Sequence, residues 1–318
     1  MRKMVMWAVT ALWCSLSFAQ GYPSKPVRII IPYGVSSTPD ILSRLVAPKL
    51  SELWGQPVVV ENVVGANGIL GTEALVKSPK DGHTLAMIAA NHVVTPALYA
   101  KVPFDPIKDI TPILAVGDVQ FVLLAQSTLP LTNLEELIAY AKARPGTVTY
   151  GSAGNGSPGH LAGQQLKTMA KIDIVHVPYK AVAQALTDTI GGQITLTMSP
   201  TAVGMPHART GRLRALAVTG GTRSKAAPDV PTMAEAGVPG YALTAWMGLV
   251  GPAGLPRDIV NKLAEDFTRV LKMPEIADKL TSLGVDLVNS NPAEFATLIE
   301  GDVSKWGKLA RDAGARLD

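Results

Sequence analysis

The chain has 318 residues, 47% of them hydrophobic and 17% charged, with 29 Lys and Arg against 25 Asp and Glu for a net charge of +4. About 300 residues usually form two domains, and so small a net charge, with no basic block interleaved with aromatics, excludes a nucleic-acid surface. A single cysteine, Cys14, excludes a disulfide framework.

In chain order, the first predicted element is a leader. Arg2 and Lys3 precede an apolar run from Met4 to Phe18, and Ser17-Phe18-Ala19 stands ahead of Gln20. This is the pattern of a signal peptide over residues 1–19, cleaved near Ala19 and directing the chain to the periplasm. Trp13 beside Cys14 fits a lipoprotein signal poorly. Removing the leader leaves 27 basic and 25 acidic residues, a net charge of +2, and no thiol. No later apolar run reaches the roughly 18 residues of a membrane span.

Short β-branched runs then alternate with amphipathic stretches, which predicts an α/β fold with mostly parallel sheets. Residues 27–31 form a strand, and Ile41, Leu42, Leu45, Val46, Leu50 and Leu53 mark one face of the helix after it. A strand over 58–60, a Gly-rich turn, a helix near 72–77 and a strand over 84–89 complete a first unit. From Asp118, DVQFVLLAQ reads as one strand, followed by a helix over 134–143 capped by Thr132 or Asn133. A second unit repeats the scheme: strand 147–150, a helix from Pro158, strand 173–177, helix 183–190, and strands 194–198 and 214–218. Residues 220–240, rich in Pro and Gly, read as loops and turns. Residues 243–250 form a strand, and from Arg257 the chain is helical.

FVLLAQSTLP before LTNLEELIAYA parallels WMGLVGPAGLP before RDIVNKLAEDF. If the first carries the chain into the second unit, the second carries it back. The expected division is therefore 20–117 with 245–318 as domain 1 and 118–244 as domain 2.

Two stretches share one design: RIIIPYGVSSTPDILSRL and TVTYGSAGNGSPGHLAGQQL each run strand, small-residue loop, then Ser-Pro or Thr-Pro helix start. A Ser or Thr oxygen (Ser37 or Thr38; Ser157) can cap the first turn, and proline follows where a missing N–H costs nothing (Pro39; Pro158). A helix N-terminus with free donors is an anion site, and two of them suggest a ligand gripped from both sides.

Other chemistries lack their apparatus. Gly154-Asn155-Gly156-Ser157-Pro158-Gly159 matches G-x-G-x-x-G, but Asp173 comes too early for a dinucleotide site. Neither Ser152 nor Ser157 fits a nucleophile elbow, because Tyr150 and Asn155 occupy the leading glycine position. The five histidines are scattered, so neither a metal nor another cofactor is expected.

The series YPSKPVRIIIPY, PDILSR, ENVVGANGILGTEALVKSPKDGHTL, YGSAGNGSPGHLAG, HVPYKA, GRLRALAVT, DVPTMAEAGVPGY and WMGLVGPAGLP covers nearly all of the mature chain. It resembles the Bug family of TctC-like receptors of tripartite tricarboxylate transporters. The resemblance implies a type II-like periplasmic binding protein: two α/β domains, a cleft between them and two crossing segments. It also implies a small organic carboxylate, di- or tricarboxylate or aromatic, held by backbone amides and water without an arginine clamp and delivered to membrane permease subunits by a monomer. Neither loop carries Lys or Arg before its helix, in keeping with this. Three places depart from the family pattern: Ser36-Ser37 for a glycine pair, Val63-Val64-Gly65-Ala66-Asn67-Gly68 for Arg-Pro-Gly-Ala-Gly-Gly, and Ala181 for a final glycine. A sensor subunit docking on a receptor kinase and an NAD-dependent enzyme are the alternative readings.

On this reading the first wall is Tyr33, Gly34, Val35, Ser36, Ser37, Thr38 and Asp40, with Asp40 better suited to support than to contact, since carboxylates repel. The opposing wall is Ser152, Gly154, Asn155, Gly156, Ser157 and His160, the last either in the cleft or packed on its own domain. Tyr179, Lys180 and Ala181 follow a strand end, as do Ala90, Asn91 and His92, and Ser199, Pro200 and Thr201. Trp246 reads as core near the crossing.

Overall fold

A computed structural model describes residues 21–35, 37–288 and 290–315, so the leader at 1–19 and the candidate Ser36 lie outside the described residues. In chain order the elements are β1 (Val27–Ile31), α1 (Thr38–Trp54), β2 (Val58–Asn62), α2 (Ile69–Val76), β3 (Thr84–Ala89), α3 (Asn91–Leu98) and β4 (Ile110–Val119). The middle of the chain forms β5 (Phe121–Gln126), α4 (Leu134–Ala143), β6 (Val148–Ser152), α5 (Pro158–Ala170), β7 (Ile174–Pro178), α6 (Val182–Ile190), β8 (Leu196–Pro200), α7 (Thr201–Arg209) and β9 (Leu213–Val218). The last part forms β10 (Ala245–Pro252), α8 (Arg257–Leu271), α9 (Pro274–Ser282), β11 (Val285–Leu287) and α10 (Pro292–Asp312).

Two sheets result, in the orders β11-β4-β10-β3-β1-β2 and β7-β6-β8-β5-β9. They are mixed rather than mostly parallel. In the first, β1 is parallel to β2 and β3, while β10 runs antiparallel between β3 and β4. In the second, β6 is parallel to β7 and β8, while β5 runs antiparallel between β8 and β9. The reversed strands β5 and β10 are those with which the chain enters the second sheet and returns to the first.

The expected single strand from Asp118 is two. Asp118 and Val119 end β4, and Gln120 is the crossover, its carbonyl accepting the Thr201 N–H and hydroxyl. The terminal part is helical except for β11, which pairs with β4.

The inner strands β1, β3, β5, β8 and β10 bury both faces, which is why their sequences are largely apolar runs instead of alternations, while the edge strands β2 and β7 leave Val59 and Val175 exposed. Ile29 and Ile31 face a core with Leu42, Val46, Leu50 and Phe267, while Ile30 faces the opposite core with Ile88, Leu98 and Trp246. That second core continues into the other sheet through Leu123, Tyr150 and Leu161, so the two units share apolar packing. Helix ends follow local chemistry: Asn133 caps α4 through the Glu136 N–H, Asn291 and Glu294 form a capping box on α10, and Gly55 ends α1 at φ 62°. The close seat of α2 depends on Gly71, where a Cβ would lie 2.8 Å from both the Pro32 Cα and the Val63 carbonyl oxygen. Helix α10 packs on α3 and β4 and also touches α5 of the second unit.

Candidate functional site

The first turn leaves β1 at Ile31 and enters α1 after Pro32 to Ser37. Its base is locked from inside: Asn62 donates to the Tyr33 carbonyl at 3.1 Å and to Asp40 at 3.0 Å, and Arg44 donates to Asp40 at 2.9 Å and to Asn62 at 2.8 Å. Asp40 is therefore a buried anchor neutralised by Arg44. The Tyr33 hydroxyl accepts the Ala89 N–H at 3.0 Å, tying the loop to the end of β3. Burial pushes its pKa well above the usual phenol range, so it keeps its proton, which has no acceptor among the described residues. Ser37 holds the N-cap position of α1 but makes no cap bond, and its Oγ is buried without a partner among the described residues.

The second turn is built differently. Gly154 and Gly156 take φ of 104° and 73°, values that L side chains rarely adopt. The Ser157 Oγ accepts the His160 N–H at 3.3 Å and donates to the Gly154 carbonyl at 2.7 Å, so this cap is engaged. Behind it the His160 Nδ1 accepts the Gly156 N–H at 3.1 Å, and the His160 ring stacks on His176 at 3.9 Å. His176 Nε2 lies 2.7 Å from the Ser152 Oγ. Burial pushes the pKa of His160 down to about 4 and that of His176 to about 3. A neutral His160 is what the Gly156 bond requires, since protonated Nδ1 could not accept it.

Both turns open on one cavity of about 430 Å³ between the two units. Of the expected site residues, Tyr33, Ser37, Thr38, Asn91, Ser157 and Pro200 line it together with Pro39, Pro158 and Gly159. The others stand elsewhere. Val35 is 72% exposed, while Gly34 supplies the carbonyl that accepts the Ser37 N–H. Ala90 is buried and donates its N–H to the Trp246 carbonyl. Ser152 and His160 form the support behind the second loop, so His160 packs on its own unit. Asn155 is exposed, Gly154 shapes the turn and Ala181 is exposed beside the cavity-lining Val182. The Tyr179 hydroxyl donates to Asp188 at 2.7 Å, Lys180 is exposed, and Ser199 is buried with its hydroxyl donating to the Pro200 carbonyl. His92 is buried against Phe104 with Nε2 2.8 Å from the Pro106 carbonyl, and burial lowers its pKa to about 4.

Sequence reasoning missed Ala89, Phe121, Ala153, Val182 and Met198, which also line the cavity. Phe121 begins β5 and pairs with Pro200 at the end of β8. An antiparallel strand brings its start, not its end, to the edge where parallel strands finish.

The lining contains no Asp, Glu, His, Lys or Arg among the described residues. The starts of α1 and α5 both face the space, and the first N–H groups of a helix have no intrahelical acceptor. Their partial positive charge can hold an anion without a cationic side chain. A larger groove of about 640 Å³, lined by Glu265, Arg269, Lys272 and Glu294 among others, shares no residue with either turn. Among the described residues no group of three His, Cys, Asp or Glu is placed to hold a metal ion, and no helix is long and apolar enough to cross a membrane.

The family model described as "Tripartite tricarboxylate transporter family receptor" matches residues 42–315. The chain is 34% identical over 303 residues to Protein BugT of Bordetella pertussis, covering 94% of this chain and 92% of that one. A solved structure called "R. palustris Rpa4515 with adipate" is similar at TM-score 0.78 and 34% identity, covering 93% of this chain and 100% of the other. MatC from Rhodopseudomonas palustris with bound malate is similar at TM-score 0.74 and 29% identity, over 91% and 100% of the two chains.

Proposed function

The chain belongs to the tripartite tricarboxylate transporter receptor family, and from that premise we propose that it is a periplasmic solute-binding protein. It captures a small organic carboxylate between its two α/β units and hands it to the membrane subunits of a tripartite transporter. The family and its solved neighbours are binding proteins rather than enzymes.

The observation that carries this reading is the convergence of two helix N-termini on one cavity with no cationic side chain. Helix termini and uncharged donors suit a carboxylate, because the anion is neutralised by fixed dipoles that need no desolvation of a counter-charge. Two of these similar structures hold carboxylates, adipate and malate. Each hydrogen bond to a charged group contributes about 1.5–3 kcal/mol, each helix terminus about 1, and association costs at least about 4. Four such bonds and two termini give about −4 to −10 kcal/mol, a range centred near −7 and so on micromolar affinity. Closure of the two units excludes water from the carboxylate and makes the ligand the bridge between the walls.

Calorimetry of the purified protein against aliphatic and aromatic carboxylates, each beside its neutral amide, tests the reading. Micromolar binding of an acid with silence from its amide is expected. Silence from every acid overturns the proposal.

A further inference from the structure

The two walls of the cavity are chemically unequal. On the first, among the described residues, the Tyr33 hydroxyl has a proton with no acceptor and the Ser37 Oγ is buried without a partner. On the second, Asn155 is exposed and does not line the space, and the other polar side chains are engaged: Ser157 with the Gly154 carbonyl and the His160 N–H, Ser152 with His176, Tyr179 with Asp188 and Ser199 with the Pro200 carbonyl. Besides the engaged Ser157 and Gly159, what this wall presents to the space is Phe121, Ala153, Pro158, Val182, Met198 and Pro200.

We infer that the ligand is an acid with a hydrocarbon body, its anchoring carboxylate on Tyr33, Ser37 and the start of α1, and its body against Phe121, Val182 and Met198. This rests on the carboxylate reading above. A hydroxyl or an extra carboxylate along the body would face a wall with no free polar side chain and would forfeit its hydration without replacement. A methylene chain or an aromatic ring there gains by leaving water.

Titration calorimetry with hexanoate, benzoate, adipate, malate and citrate separates the possibilities. At least one of the three hydrocarbon-bodied acids is expected to bind 10- to 100-fold more tightly than malate and citrate. If malate or citrate binds as tightly as the best of the three, the inference fails while the carboxylate reading stands. Silence from all five overturns both. Val182→Thr and Met198→Gln keep the shape of their side chains and place a polar group on the wall. Each is expected to narrow the gap between adipate and malate several-fold, and an unchanged gap in both variants removes these side chains from the role.

Discussion

Ser37 and Ser157 occupy the same place in two similar turns, yet only Ser157 closes its cap. The difference predicts different phenotypes. Ser157→Ala loses the acceptor for the His160 N–H and is expected to cost about 1 kcal/mol in urea unfolding. Ser37→Ala removes no hydrogen bond found among the described residues, so its stability is expected to change by less than about 0.5 kcal/mol. Its carboxylate affinity, measured by calorimetry, is expected to fall about 10- to 100-fold, the loss of one hydrogen bond to a charged group. The sequence shows both oxygens plainly. Whether a neighbour has already taken each one depends on side-chain torsions that no motif encodes. The same holds for His160: its place in the first helical turn was legible, but its ring is drawn inward by His176, a residue on another strand.

At the level of elements, β4, β10 and β11 bring acids together with no cation beside Asp118 among the described residues. Asp118 stands opposite both Trp246 and Asp286 in the ladder, and Asp302 of α10 accepts the indole N–H groups of Trp246 and Trp306 at 2.7 and 3.0 Å. Burial raises the Asp118 pKa to about 6, with Asp286 and Asp302 adding to the effect against the bond from Thr244. The folded state then holds a proton that the unfolded chain releases near pH 4, so this carboxyl lowers stability as pH rises from about 4 to about 6 and by a constant amount above. Asp118→Asn is expected to be more stable than the parent by about 1–2 kcal/mol at pH 7.5, with the difference vanishing near pH 4. Urea unfolding at the two pH values reads this directly. Most strands and long helices were legible because β-branched runs and 3.6-residue periodicity are local signals. Helix α3 was not, since Val93, Val94, Thr95 and Pro96 are poor helix formers held there by packing, and three-residue β11 exists only through its pairing with β4. The reversed direction of β5 and β10 is likewise a property of the assembled sheets.

Across the whole molecule, the chain passes between sheets at Gln120 and again after Thr219, whose carbonyl accepts the Leu243 N–H at 2.8 Å. The two passages are linked by a hydrogen bond, and the closure proposed above would have to be taken up there, against the apolar packing that the units share. Small-angle scattering is expected to show a smaller radius of gyration with a saturating carboxylate than without, and identical curves would count against closure on the ligand. A wall free of side chains that titrate near neutrality has one more consequence. Tyr33 stays protonated, and the histidines behind the second loop, with pKa values of about 4 and about 3, are already neutral near pH 7. Capture should therefore exchange no protons with the medium between about pH 6 and 8. Calorimetric heats are expected to be the same in phosphate and in Tris, although the ionisation enthalpies of those buffers differ widely. Within that range the site would load its acid without regard to the acidity around it.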